Sequence, residues 1–351
     1  MACYHPLKGF PVGKNPSGKT AYRITSYKVD HVEQSKDGAW TDSYERQRGK
    51  YAARVVREFV EIPCGRCIGC RLDYSRAWAD RCMLELQQHE ESWFLTLTYD
   101  DDHLPVSNKT DTGTREIKEV GTLVKRDIQL FMKRLRKALP EGHPKIKYFC
   151  AGEYGPQTRR PHYHMIVFGL HVPDLEIYKR VSGPGSASGY FYYNSLWLND
   201  IWKNGHVVIG EVNWETCAYT ARYILKKQYG DDAAALYDEY GIQPEFITMS
   251  LRPAIGREFY DQNKMRLYAM DHISISTPEG GRQVRPSRYF DKLFDIDAPE
   301  EYKRIKEKRR AASEDARALK MAQTSKDFLG ALESEEVRKL NAVKSLRRDL
   351  L

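Results

Sequence analysis

Long apolar runs are missing from this 351-residue chain. None approaches the roughly 18 residues needed to cross a bilayer, so no membrane partner is expected. The start, Met1-Ala2-Cys3-Tyr4-His5-Pro6, lacks the basic and apolar regions of a secretory leader. Cysteine is scarce: there are seven, an odd number, and three sit in one close-spaced cluster. A fully paired disulfide framework is thereby excluded, and a reducing compartment with thiols kept for metal or packing fits better. Excess charge is small as well, with 56 Lys and Arg against 48 Asp and Glu for a formal +8. Tyrosine, by contrast, is plentiful at 23. Modest positive charge with many flat rings suits a nucleic-acid partner, because cations neutralise phosphates and rings stack on bases.

Composition and patterning divide the chain into an N-terminal wrapping segment at 1–90, a central domain at 91–290 and a charged helical tail at 291–351. Residues 1 to about 60 are polar and short of periodicity, so an irregular course is expected. Cys64-Gly65-Arg66-Cys67-Ile68-Gly69-Cys70 then sets two overlapping Cys-x-x-Cys turns with glycines between them. This is zinc-knuckle spacing, in which glycine lets the backbone fold tightly around an ion. Three thiolates leave tetrahedral zinc one ligand short; Cys3 is the candidate fourth, with His5 behind it. An iron–sulfur cluster or a metal-free thiol turn are the alternatives. A helix follows over Arg71–Glu90, with Trp78, Cys82 and Leu86 on its buried face.

The central domain opens with Trp93–Tyr99, a β-branched and aromatic strand. After a polar loop at Val106–Gly121, Thr122 can cap a helix whose apolar stripe is Ile128, Phe131, Met132, Leu135 and Leu139. Lys145–Glu153 reads as a strand, and Gly155-Pro156 turns the chain into Arg160-Pro161-His162-Tyr163-His164-Met165-Ile166-Val167-Phe168-Gly169. Residues at i and i+2 of a strand share a face, so His162 and His164 can hold one ion between them. Glu153, across the hairpin, would complete an open three-ligand site for a hard divalent ion, Mg²⁺ or Mn²⁺. Val172–Gly189 reads as a polar crossing, Tyr190–Trp202 as aromatic and helical in its second half, and Gly205–Val212 as a strand. Asn213 caps a helix from Trp214 to Lys227. On it Tyr219 and Tyr223 stand one turn apart, with Lys226 on their face. An ammonium beside a phenol eases its ionisation, and a phenolate can attack phosphorus. Core packing is the alternative for both tyrosines.

Apolar strand, His-x-His strand and tyrosine helix, in that order, resemble the HUH endonucleases that start rolling-circle replication. More closely, the chain resembles the replication initiation proteins of gokushovirus-type microviruses, small single-stranded-DNA phages. The resemblance covers roughly Cys3 to Phe290. It is carried by Pro63–Arg71, Phe94–Tyr99, Gly152-Glu153-Tyr154-Gly155, Arg160–His164 and Tyr219–Lys227. Ser250-Leu251-Arg252-Pro253-Ala254-Ile255-Gly256 also resembles the family's Pro-Gly-Ile-Gly element, with alanine at its first glycine.

The resemblance implies an α+β fold, an antiparallel sheet with helices packed on one face, and a nicking and rejoining enzyme in a bacterial host's cytoplasm. It implies that His162, His164 and Glu153 hold the metal. Tyr219 or Tyr223 would attack origin DNA, leaving a 5′-phosphotyrosine and a 3′-OH that primes the host polymerase, with a helicase as further partner. Lys226 or Lys227 would stabilise the phenolate. No nucleotide-binding phosphate loop is expected, because transesterification conserves the phosphodiester energy. The alternative from another class is a non-catalytic, zinc-stabilised nucleic-acid-binding protein. It is distinguished by how close the tyrosines come to the histidine pair.

Overall fold

The computed structural model describes residues 3–16, 18–110, 117–155, 157–183, 186–226, 231–277 and 280–348. The chain forms two compact units, Met1–Asp73 with Ala316–Lys344 and Tyr74–Asp315 with Ser345–Leu351.

The first unit begins with six strands, β1 (Leu7–Lys14), β2 (Thr20–Ser26), β3 (His31–Ser35), β4 (Trp40–Ser43), β5 (Ala52–Val56) and β6 (Val60–Ile62). They form two small antiparallel sheets, β2-β1-β6 and β4-β3-β5, around a core of Phe10, Val29, Val32 and Val56. An irregular course was the expectation here, and it is corrected. The strands are three to eight residues long, too short for their alternation to stand out from polar neighbours. Tight turns such as Ser35–Ala39, with Gly38 at φ +90°, set their pairing instead.

Helix α1 (Ile68–Leu86) leads to β7 (Ser92–Tyr99), the hairpin β8 (Val106–Thr110) and β9 (Ile117–Gly121), and helix α2 (Lys125–Ala138). Then come β10 (Lys147–Tyr154), β11 (Pro161–Phe168), β12 (Glu176–Gly183), β13 (Ser186–Asn194), α3 (Leu196–Trp202), β14 (Gly205–Glu211), α4 (Trp214–Lys226), α5 (Asp231–Tyr240) and β15 (Phe246–Met249). Seven of these strands make one sheet in the order β12-β13-β14-β7-β11-β10-β15, antiparallel throughout. The expected α+β architecture is thus observed. One expected feature differs: part of the polar crossing at Val172–Gly189 is the edge hairpin β12–β13, whose strand alternation is broken by register shifts at Ile177/Lys179 and Val181/Gly183.

On one face of the sheet, Leu95, Leu97, Tyr163, Met165 and Val167 bury against Ile128, Phe131, Met132 and Leu135 of α2. On the other, Phe94, Phe149, Ile166 and Phe168 pack against Trp78 and Cys82 of α1 and Cys217 and Ala221 of α4. Thr122 does not cap α2; its hydroxyl accepts from Gln243 N at 3.0 Å. The helix starts at Val124 without a side-chain cap of its own. Strand tyrosines take over that task, Tyr163 Oη accepting from Val124 N at 2.8 Å and Tyr154 Oη from Leu123 N at 3.2 Å.

The chain continues through α6 (Arg257–Met270), the hairpin β16 (Ile273–Thr277) and β17 (Gly280–Val284), α7 (Arg288–Asp297), α8 (Pro299–Ala322) and α9 (Phe328–Arg348). In the first unit, Leu332 and Val343 of α9 share a core with Tyr4, Cys67 and Ile68. The apolar residues of α9 are sparse for a heptad, yet they suffice for a small docking face. Among the described residues no helix is long and apolar enough to cross a membrane.

Gly205, where β14 enters the sheet beside β7, has φ +143°. A Cβ there would lie 2.4 Å from both Thr98 O and Asp100 N. Gly205→Ala is therefore expected to cost about 2 kcal/mol or more, measured as a lowered urea midpoint at unchanged slope.

Candidate active site

Strand β11 pairs with β10 on one side and β7 on the other, which fixes its side chains to alternate faces. Tyr163, Met165 and Val167 face α2; His162 and His164 face the other way. The β10–β11 register sets Glu153 directly opposite His162. Glu153 Oε1 lies 2.8 Å from His162 Nε2 and 3.0 Å from His164 Nε2. The three ligand atoms all fall within 4.8 Å of one another.

The surroundings aim these groups. His162 Nδ1 donates to the Arg160 carbonyl at 3.1 Å. A carbonyl can only accept, so the proton sits on Nδ1 and the Nε2 lone pair turns toward Glu153. His164 Nδ1 is 3.1 Å from Thr96 Oγ1, and its ring stacks on Phe94 at 5.5 Å and 8°. Two imidazoles oriented from behind and one carboxylate make a donor set suited to a divalent cation. Glu153 and His164 are buried and His162 is half-buried, so the site opens on the His162 side. Burial works to raise the Glu153 pKa. The hydrogen bonds and charge of His162 and His164 outweigh it and hold the carboxyl well below its ordinary 4.5.

Helix α4 crosses this face. Its start is the expected one, with Asn213 Oδ1 accepting from Thr216 N at 2.8 Å. Cys217 and Ala221 bury against the sheet, and Tyr219 stands with its ring centroid 5.1 Å from that of His164, edge to face at 77°. Tyr223 and Lys226 lie on the same helix, but their side chains fall outside the described residues, as does Lys227 altogether. The sequence signal missed Thr96 and Phe94, which position His164. Strand alternation could have found them, since both lie two apart on β7 and face the histidines across the β7–β11 register.

In the first unit, the sulfurs of Cys3, Cys64, Cys67 and Cys70 also converge within 4.8 Å. Five backbone amides donate to them: Cys64 to Cys3, Arg66 and Cys67 to Cys64, and Tyr4 and Cys70 to Cys67. Gly65, at φ +74°, permits the tight turn between the first two cysteines of the cluster. Burial would raise the Cys64 thiol, but the Cys67 and Arg66 amides outweigh it and lower its pKa. Cys3 takes the fourth position, while His5 Nε2 bonds Glu336 Oε2 at 2.6 Å instead.

Contrary to expectation, Gly13-Lys14-Asn15-Pro16-Ser17-Gly18-Lys19-Thr20 does match the spacing of a phosphate loop, Gly-x-x-x-x-Gly-Lys-Thr. The fold withholds the context that spacing needs. This stretch links β1 to β2 as a hairpin, Asn15 N donating to Lys19 O at 2.8 Å, and no helix N-terminus follows it to receive a phosphate.

The second unit is therefore an α+β protein whose central antiparallel sheet presents a Glu-His-His donor set under a tyrosine-bearing helix. The sequence profile of the family "Replication-associated protein ORF2" matches residues 92–228, which contain all of that set and α4. Replication-associated protein ORF2 of Spiroplasma virus 4 is 35% identical over 293 residues, 82% of this chain and 85% of the relative. Protein VP4 of Bdellovibrio phage phiMH2K is 30% identical over 257 residues, 71% of this chain and 73% of the relative. Protein ORF4 of Chlamydia phage 1 is 35% identical over 174 residues, 49% of this chain and 40% of the relative. No solved structure matches the chain. The chain belongs to the replication-associated protein family of these microviruses.

Because Glu153 is ionised more readily in the folded chain than in the unfolded one, its contribution to stability is complete above the ordinary value of 4.5 and is lost as pH falls through the lower folded value. In buffer without divalent ions, the urea midpoint of the wild type is expected to fall more steeply below about pH 4.5 than that of Glu153→Gln.

Proposed function

We propose that this protein initiates rolling-circle replication by nicking and rejoining single-stranded DNA at a phage origin. The observation that carries the reading is the convergence of Glu153, His162 and His164 with the Tyr219 ring beside them. Glu153, His162 and His164 would hold one Mg²⁺ or Mn²⁺. Bound there, such an ion supplies Lewis-acid polarisation of a phosphoryl oxygen.

The remaining steps belong to the chain's own groups. Tyr219 Oη forms a bond to the scissile phosphorus as the bond to the 3′ oxygen breaks, and the phenol proton ends on that departing oxygen. The products are a 5′-phosphotyrosine and a free 3′-OH able to prime the host polymerase, with a host helicase opening the duplex ahead. Tyr223, four residues on and about 6 Å further along the helix axis, is assigned the second cleavage, after which the released 3′-OH closes a unit-length circle. Lys226 or Lys227 stabilises the phenolate. One phosphodiester replaces another at each step, so no nucleotide cofactor is consumed. The work is done in the bacterial host's cytoplasm. Zinc at the four cysteines would serve structure, pinning Cys3 to the Cys64–Cys70 turn.

Incubation with labelled single-stranded origin DNA and Mn²⁺ should yield a covalent protein–DNA band. Each of Tyr219→Phe and Tyr223→Phe should retain one covalent cleavage of a short origin oligonucleotide but release no closed circles. The double variant should form no adduct, since phenylalanine keeps the packing and removes only the attacking oxygen. Adduct formation by the double variant would sink the assignment of this helix, and full circle release by both single variants would favour mere packing.

For the cysteines, protein purified without chelator is expected to contain about one zinc per chain, with a lower melting temperature once a strong chelator is added. Metal analysis that finds neither zinc nor iron removes this site.

A further inference from the structure

We propose that the sheet face beside the Glu-His-His set carries a slot for one unpaired nucleobase. Phe94, Tyr192 and the bare backbone of Gly210 build it, and Glu211, Asn213 and Thr216 form its rim. The inference rests on the reading of the protein as one that engages single-stranded DNA.

The slot follows from strand register. Ile166 of β11 lies opposite Phe94 of β7, Phe94 opposite Gly210 of β14, and Gly210 opposite Tyr192 of β13. These four form one cross-strand row. Two residues along each strand, hence on the same face, is the row of His164, Thr96 and Val208. The slot row is thus about 7 Å from the metal-ligand row by strand rise. Phe94 joins the two, since its ring also stacks on His164. DNA held by a phosphate at the histidines therefore has this row as its nearest neighbour on the sheet.

Gly210 makes the row a recess. A Cβ on it would sit 3.6 Å from Tyr192 Cε1 and 3.7 Å from Phe94 Cδ1, so both rings flank a gap one methyl wide at its floor. The cleft, lined by Phe94, Phe191, Tyr192, Gly210, Glu211, Asn213 and Thr216, has a volume of only about 50 Å³. That cannot swallow a base whole; it seats one edge of a planar ring against the aromatic side chains.

Charge decides between a base and a phosphate. No Lys or Arg lines the cleft, in a chain with a formal +8, and Glu211 contributes a carboxylate. A phosphate would meet like charge and no cation, whereas a neutral base meets rings on which it can stack. The rim also offers groups that read a base edge. Asn213 Oδ1 is committed to Thr216 N, while its Nδ2 has no partner among the described residues. Glu211 supplies an acceptor next to that donor, and every base presents donors or acceptors at its edges.

The test compares binding of an oligothymidylate of about 12 nucleotides with that of an abasic oligomer of equal length and charge. It uses the full chain, and no cleavage enters the readout. Gly210→Ala fills the floor at ordinary contact distances and so keeps the fold, and Tyr192→Ala removes one wall. Each is expected to lower the preference for the base-bearing over the abasic strand, on the order of tenfold for Tyr192→Ala. Affinity for the abasic strand, and its salt dependence, should stay as in the wild type. A preference unchanged in both variants overturns the slot. If the tyrosine variants fail as nickase tests while the preference still falls, the slot stands and the nicking chemistry does not. Adduct formation with an unchanged preference removes the slot alone.

Discussion

Strand β11 has partners on both sides along its length, so each side chain has only two directions open to it. That constraint organises the second unit. His162 and His164 are delivered to one face because Tyr163 and Met165 are consumed by the other. Slipping the pairing by one residue would bury both histidines among the leucines of α2 and turn the Tyr163 ring toward the metal ligands. The buried face is itself fastened by polar groups. The Tyr99 and Tyr163 hydroxyls lie 2.8 Å apart, and Tyr99 Oη donates to Asp127 at 2.6 Å, so the strand pair and the first turn of α2 hold one another in place.

Strand β10 meets buried charge at each end. At its far end Glu153 meets two histidines. At its start Lys147, buried, pairs with the fully buried Glu85 of α1 at 2.7 Å. Glu85 is also met by His89 at 2.8 Å and accepts from Gly256 N at 2.6 Å. Burying a carboxylate is costly unless its lone pairs are filled, and here they are filled from three separate elements. Gly256 sits at φ +76° with the Phe290 ring 3.1 Å from where a Cβ would be, so its glycine is required by geometry. The Ser250–Gly256 element therefore acts as a structural clasp, and alanine at position 254 is compatible with that role.

What could be read from the chain tracks how much each residue's environment is set by its neighbours in sequence. Strands β7, β10 and β11 and helices α2 and α4 announce themselves through period and composition, and Asn213 through its capping chemistry. His162 and His164 are legible because i and i+2 spacing is local. Glu153 is nearly so, because the hairpin that brings it round is short. The six strands of the first unit were not legible, since each owes its place to a partner strand rather than to its own pattern. Thr122 failed as a cap for the same reason: a tyrosine from a distant strand reached the helix end first. The Gly13–Thr20 spacing shows the converse, a local pattern emptied of meaning by the hairpin that contains it.

The core formed by Tyr4, Cys67, Ile68, Leu332 and Val343 draws on both ends of the described chain. During synthesis on a ribosome, the cysteines and Tyr4 emerge early and α9 last. The apolar side of the cysteine turn must then wait, uncovered, until nearly all of the message has been read. A chain released before α9 would leave Cys67 and Ile68 without Leu332 and Val343 over them. Completion of this small core thus reports that translation has run almost to its end.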